Sequence, residues 1–401
     1  MRVLSQRERL ILLNLIPDVG SLRMRRLLDA FGDLERVWAA SVRDLQQVEG
    51  IGPRLAEHIA AGRHDTALLE RELARAERAR VRLVTLDDAE YPAALRTISD
   101  PPLVLYVRGT LTPADEVAVG IVGARRASLY GLQTAERLGY ELALRGVTVV
   151  SGLARGIDGA SHRGALKAPG RTIAVLGSGL SCLYPSEHEA LAEQVAGQGA
   201  LVSEYPMEMQ PLPHNFPRRN RLISGLSLGV VIVEAGPRSG ALITADCALE
   251  QGREVFAVPG PITTVTSQGT HQLLKQGARL VTSVEDIVEE LRLTPTPMRP
   301  SALALRLEPR PPSMSLGTGR PGALAQDSAP RGSTTEPLAV TSLPERERRV
   351  LTCLSDEEPK DIDAVAGHSG LESAEASSLL LQLELKQLVR QLPGKQFLRR
   401  A

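Results

Sequence analysis

The stretch Val117–His162, VAVGIVGARRASLYGLQTAERLGYELALRGVTVVSGLARGIDGASH, constrains the fold more than any other part of the chain. Val117, Val119, Ile121 and Val122 make a short, nearly continuous apolar run, the pattern of a parallel strand buried on both faces. Gly123-Ala124-Arg125 follows at its carboxyl end. Leu132, Ala135, Leu138 and Leu142 recur at helical spacing within Leu129–Arg145, and Gly146 stops that helix. Val147-Thr148-Val149-Val150 is the next strand, and Ser151–Asp158 is a second small-residue turn that opens another helix. Two such turns at adjacent strand ends bring backbone N–H groups and helix N-termini around one crevice, which suits a phosphate. The spacing is not the dinucleotide fingerprint G-x-G-x-x-G, and Arg125 stands where a pyrophosphate needs room. An arginine there is suited to a bidentate grip on a phosphate from outside the fold; a solvated arginine on a plain glycine turn fits the residues equally well.

The pattern of alternating strands and helices extends on both sides. Val81–Leu86 and Leu103–Val107 read as strands before it. Thr172–Leu176, Leu201–Ser203, Gly229–Val233, Glu254–Val258 and Arg279–Val281 read as strands after it, with helices near Ser186–Ala196, Asn215–Leu226, Gly240–Gln251 and Gln268–Gln276. This predicts an extended Rossmann-like, doubly wound, mostly parallel α/β sheet over residues 66–293. Residues 1–65 read as a helical unit in which Ile16–Gly20 and Val48–Arg54 are short hairpins between helices. That arrangement resembles a helix-hairpin-helix module, whose amides hold DNA phosphate, and equally a packing hairpin of a SAM-like bundle; Arg23, Arg25, Arg26 and Arg54 keep the first reading open. Thr66–Ala79 reads as a charged, solvated connecting helix. Residues 294–343 are rich in Pro, Ser, Gly and Thr and read as a flexible linker. Residues 344–401 read as a winged helix, with helices at Glu345–Leu354, Lys360–Ala366 and Ser373–Lys386 and a hairpin turning at Pro393-Gly394-Lys395. Its third helix carries Glu372, Glu375 and Glu384 against Lys386 alone, which points to a protein partner or to packing, not to reading DNA bases.

Composition limits what the crevice can hold and how. Lys+Arg 47 balance Asp+Glu 47, so a nucleic-acid site has to be a local patch. Aromatic residues make up 3% of the chain, which favours backbone contacts over base stacking as the means of holding a single strand. Three widely spaced cysteines form no C-x-x-C pair, and seven histidines show no H-E-x-x-H spacing, so neither a metal site nor a disulfide framework is expected. No signal peptide and no membrane-crossing apolar run is visible, and the expectation is a cytoplasmic protein.

The strand ends supply the patch. Gly177-Ser178-Gly179 is a third small-residue turn; Asn215–Arg221 places Arg218, Arg219 and Arg221 at a helix start; Glu234–Gly240 carries Arg238 and Ser239. Together with Arg125 they predict a positive, backbone-lined groove at one sheet edge. Ser151, Asp158 and His162 invite a catalytic triad, but no G-x-S-x-G elbow surrounds Ser151, and Asp158 and His162 read as a pair one helical turn apart. Glu234 is placed either as a general acid or base or as an anchor for Arg218 or Arg221.

These motifs, in this order, are recognisable. Gly120–Arg125, Ser151–His162, Thr172–Pro185, Ser203-Glu204-Tyr205-Pro206, Phe216–Ser224, Val233–Thr244 and Val258-Pro259-Gly260 closely resemble the DNA-processing protein A family (DprA/Smf) over about half the chain. The resemblance implies a non-enzymatic, cofactor-free protein of natural transformation. Such a protein binds incoming single-stranded DNA, forms a homodimer, and helps load the RecA recombinase onto strands covered by single-strand-binding protein. It implies that Gly123-Ala124-Arg125 is a phosphate grip, that Ser151, Gly152, Gly177, Ser178 and Gly179 line the pocket, and that Arg218, Asn220 and Arg221 support its rim. Arg238 and Ser239 join this DNA-binding set. The family often has a basic residue directly after the Tyr-Pro pair, whereas Ser186-Glu187 follows Pro185 here; Arg126 and Arg155 are the candidate replacements. The helices Ala245–Gln251 and Gln268–Gln276 are the candidates for the dimer surface. The competing reading is a Rossmann-like nucleotide-hydrolysing enzyme of the phosphoribohydrolase type at the same crevice, whose P-G-G-x-G-T-x-x-E turn is replaced here by Ala235–Ala241 without the downstream glutamate.

Overall fold

Among the described residues, nine strands form one sheet: β1 (Val81–Thr85), β2 (Val104–Gly109), β3 (Ala118–Val122), β4 (Thr148–Ser151), β5 (Thr172–Val175), β6 (Ala200–Ser203), β7 (Gly229–Ile232), β8 (Glu254–Ala257) and β9 (Arg279–Leu280). Their order is β1-β2-β6-β5-β4-β3-β7-β8-β9. From β6 to β9 every pairing is parallel, with Ala118 beside Thr148 and Val119 beside Gly229. β2 is antiparallel to both β6 and β1. The chain winds outward from β3 through β4, β5 and β6, then returns to the other side of β3 for β7, β8 and β9. The switch point therefore lies between β3 and β7, where an open α/β sheet leaves a crevice at its carboxyl edge.

This computed structural model describes residues 4–293, 344–355, 360–371, 373–385, 388–392 and 396–399. The expected linker, the turn Pro393-Gly394-Lys395, Glu372 and Lys386 lie outside the described residues. The chain forms two units, which divide within 294–343.

Alternation along the strands sets the two faces of the sheet. Val119 and Ile121 of β3, Val149 of β4 and Val231 of β7 join Leu138, Leu142 and Ala160 from the helices Leu129–Leu144 and Ile157–Lys167. Val122, Val150, Val230 and Ile232 face the opposite way, onto Leu222, Ile223, Ala241 and Ala245 of the helices Asn215–Gly225 and Gly240–Glu250. A third cluster joins the amino-terminal helices to the β1–β2 end of the sheet, uniting Leu12, Leu27 and Ile59 with Leu83, Tyr106 and Met207. The helix Thr66–Arg78 belongs to it. Leu69, Glu72 and Ala76 are buried, and the Glu72 carboxylate accepts the Met207 N–H at 2.7 Å, so this helix is packed, not the solvated connector its composition suggests.

In the second unit the helices Glu345–Thr352, Ile362–Ser369 and Ser373–Leu385 close over Val350, Val365, Leu380 and Phe397. Its described strands are β10 (Lys360–Asp361), β11 (Val389–Leu392) and β12 (Gln396–Arg399), in the order β10-β12-β11. Lys360 and Asp361 thus pair with the hairpin and do not begin the second helix; Asp361 caps that helix by accepting the Ala364 N–H. Among the described residues no helix is long and apolar enough to cross a membrane.

Candidate nucleic-acid interface

At the switch point lies a cavity of about 300 Å³. Gly123 and Arg125 enter it from the end of β3, Ala154 from the turn after β4, Phe216, Arg219 and Asn220 from the helix Asn215–Gly225, and Ser239 and Gly240 from the turn after β7.

The Gly123–Ser128 turn is held at both ends by one residue. The Glu234 carbonyl accepts the Ala124 N–H at 2.8 Å, while its carboxylate accepts the Ser128 N–H at 2.9 Å and the Ser128 hydroxyl. Glu234 is 4% exposed and is therefore a brace for the turn, neither a free acid or base nor a partner of Arg218 or Arg221. The two turns expected at adjacent strand ends do abut. Gly156 has φ +76°, and a side chain there would run into the Ala124 and Arg125 carbonyls, so only glycine allows the contact. Leu153, fully buried in the same turn, also has a positive φ of 56°, and its carbonyl lies 2.9 Å from His188 Nδ1.

Behind the cavity Arg219 is buried, donating to the Val175 carbonyl and lying flat against Gly152, where any side chain would displace its guanidinium. Burial lowers its pKa to about 10, which leaves it charged at neutral pH. Asp158 also faces the cavity and accepts the Gly152 N–H at 3.2 Å; burial raises its pKa, and the Arg219 charge opposes the rise. Asp158 does not pair with His162, which turns to the Thr172 hydroxyl at 2.7 Å. Two arginines against one carboxylate leave the cavity positive, with Arg125 at its mouth.

Aromatic residues frame that mouth, although their scarcity argued against stacking. The Arg125 guanidinium lies 5.2 Å from the Phe216 ring centre, Phe216 meets Tyr184 edge-to-face at 5.6 Å, and Arg155 lies 5.8 Å from the Tyr184 ring. Cation, ring, ring and cation form one continuous strip.

The model of a family described as "DNA recombination-mediator protein A" matches residues 82–292, which include every wall of this cavity. Protein Smf of Synechocystis is 35% identical over 395 residues, covering 96% of each chain. The chain belongs to that recombination-mediator family. A DprA winged-helix model matches residues 334–395 and a helix-hairpin-helix model residues 10–66, in agreement with the expected flanking modules. Protein Smf of Escherichia coli is 52% identical over 211 residues, and the match spans 56% of that protein. The crystal structure of DNA processing protein A from Streptococcus pneumoniae matches with a TM-score of 0.62 and 33% identity, over 72% of this chain and 99% of that one.

In this family member, the residues expected to bind DNA fall into distinct groups. Gly123, Arg125, Asn220 and Ser239 line the cavity, with Asn220 donating to the Gly240 carbonyl at 3.1 Å and the Ser239 hydroxyl accepting the Ala241 N–H. Arg126, Arg218 and Arg238 are exposed and outside its lining. Arg155 is engaged by both oxygens of Glu187. Ser151 is fully buried and donates to the Ile121 carbonyl at 2.6 Å, away from the cavity. Gly177 packs on Phe216, the Ser178 hydroxyl donates to the Cys182 carbonyl at 2.7 Å, and the Gly179 N–H donates to Met209. That third turn shapes the wall behind Phe216 and does not line the cavity. Arg221 points away, bound to Asp100 and Glu204, each at 2.6 Å, and to the Ser21 hydroxyl at 3.0 Å. Arg221 supports the join to the amino-terminal helices and not the rim. Arg219, expected on the groove with its neighbours Arg218 and Arg221, instead lies buried behind the cavity; Asp158 and Phe216 were not among the residues expected to bind DNA.

In the amino-terminal hairpins, Arg23 donates to Asp18, Arg25 to Ser99 and Arg26 to Glu49, all through carbonyls, while Arg54 is exposed. Among the described residues no cluster of three or more histidine, cysteine or acidic side chains could hold a metal ion.

Proposed function

We propose that this chain holds single-stranded DNA at the β3–β7 crevice by its phosphates, with the bases against Phe216 and Tyr184, and that it acts as a non-catalytic mediator of recombination. The observation that carries the reading is Arg125. It projects from a braced backbone turn, at the mouth of a cavity already made positive by Arg219, with its planar cation beside an aromatic ring. Backbone donors, arginines and rings together suit a flexible polyanion of any sequence. Gly123, Asn220 and Ser239 complete the pocket, and the exposed Arg126, Arg218 and Arg238 extend the positive surface along which the strand runs.

Family membership supports a wider role of the same kind. The protein protects incoming strands in the cytoplasm during natural transformation and delivers them to RecA in the presence of single-strand-binding protein, without a cofactor. It works as a homodimer through the helices Gly240–Glu250 and Gln268–Lys275, the first of which leaves Ile243 and Leu249 exposed.

The test is fluorescence anisotropy of a labelled oligothymidylate with wild type and Arg125→Ala across a salt series. Loss of one phosphate contact on a single strand flattens the log–log salt slope by about 0.7 and weakens binding without altering sequence preference. If Arg125→Ala binds like wild type, the crevice is not the DNA site, and the amino-terminal hairpins or the winged helix take its place. Release of free base from a nucleotide by the purified protein would revive the hydrolytic reading.

A further inference from the structure

The far end of the aromatic strip is closed by an acid. Arg155 lies over the exposed Tyr184 ring while its guanidinium is held in the two-point manner of an arginine on a phosphate, but by the Glu187 carboxylate. Both side chains are about half exposed, at 51% and 49%. An ion pair so open to water has little net stability, and a polyanion carrying condensed counterions competes with it on favourable terms. Its hydrogen bonds to Arg155 hold the Glu187 pKa down at about 2, so acid does not open the contact anywhere near neutral pH. An anion that takes the carboxylate's place does so.

We infer that Glu187 is a built-in phosphate mimic, occupying the seat on Arg155 that a backbone phosphate of the bound strand takes by exchange. Arg155 and Tyr184 thereby become the second phosphate-and-base step of the strip that begins at Arg125 and Phe216. Glu187 sets the affinity by making the strand displace an acid before it gains that step. This rests on the proposed single-strand site and deepens it.

The experiment is a double-mutant cycle on the full chain, with anisotropy of the labelled oligothymidylate as readout. Glu187→Gln, Arg155→Ala and the double variant are compared with wild type, and Glu189→Gln serves as a control for removing a nearby acidic charge. Glu187→Gln tightens binding roughly 1.5- to 5-fold, the range an exposed ion pair permits. Arg155→Ala weakens binding, and adding Glu187→Gln to it brings no recovery. Glu189→Gln falls well short of the gain seen at Glu187. Equal gains from Glu187→Gln with and without Arg155 would mean general charge repulsion and overturn the inference, as would no gain at all. Failure of the parent reading looks different: Arg125→Ala then binds like wild type, whatever the outcome at Glu187.

Discussion

His162 is fully buried on the helix Ile157–Lys167, beside the Thr172 hydroxyl, and burial first, with nearby positive charge second, lowers its pKa from 6.5 to about 3. The unfolded chain takes up this proton near pH 6.5, whereas the folded chain resists it until about pH 3. The contribution of neutral His162 is therefore complete above pH 6.5 and is lost as pH falls through that window, with a slope of roughly 1.4 kcal/mol per pH unit. His162→Gln removes this slope, so urea midpoints of variant and wild type, measured from pH 7.5 down to pH 5, converge as acid is added. The residue scale is also where sequence reading reached least far. Arg125 was legible because its turn is local. The buried set was not, since Glu234 reaches back to Ser128, Arg219 to Val175, and Arg221 to Asp100 and Ser21, all pairings made only when distant parts of the chain assemble. Ser151 and Ser178 carried the right residue type for a pocket, but their hydroxyls satisfy neighbouring carbonyls instead.

At the scale of elements, the helices Leu129–Leu144 and Ile157–Lys167 lie close enough for glycine to decide the fit. A side chain at Gly164 would strike the Glu136 carbonyl, and one at Gly139 the Ser161 carbonyl. Gly164→Ala is expected to cost about 1–3 kcal/mol by overpacking, outweighing the ~1 kcal/mol that alanine gains in helix propensity. Gly367 in the helix Ile362–Ser369 is exposed and has open space around it, so Gly367→Ala stabilises its helix by up to about 1 kcal/mol. Denaturant unfolding checks the first, and hydrogen exchange within that helix the second. Element type and order were readable from periodicity, and strand ends agreed to within a residue or so, because parallel strands buried on both faces leave long apolar runs. The helix Thr66–Arg78 was misjudged because its buried Glu72 looks like a solvent residue until Met207 supplies its partner.

Across the first unit, the amino-terminal helices and the sheet share one apolar cluster, and Arg221 ties the two together from the helix that also carries Arg219 and Asn220. Arg221→Ala leaves Asp100 and the mostly buried Glu204, 12% exposed at its side chain, without their cation and is expected to cost about 3–5 kcal/mol. Ser21→Ala, which removes only one hydroxyl partner, costs about 1 kcal/mol or less. Equilibrium unfolding of both variants measures the difference. Three modules in series were legible in the sequence, but the depth of the join between the first two was not, because Leu12, Leu27 and Ile59 give no sign of which surface they will meet.

The brace that Glu234 places on the Gly123–Ser128 turn has a kinetic corollary. A loop fixed at both ends has already lost its conformational entropy on folding, so in the proposed mode of binding a strand orders little more of this turn than the Arg125 side chain. Encounter in that mode proceeds at the pace set by diffusion and charge, and variants of the site differ mainly in how long the strand stays.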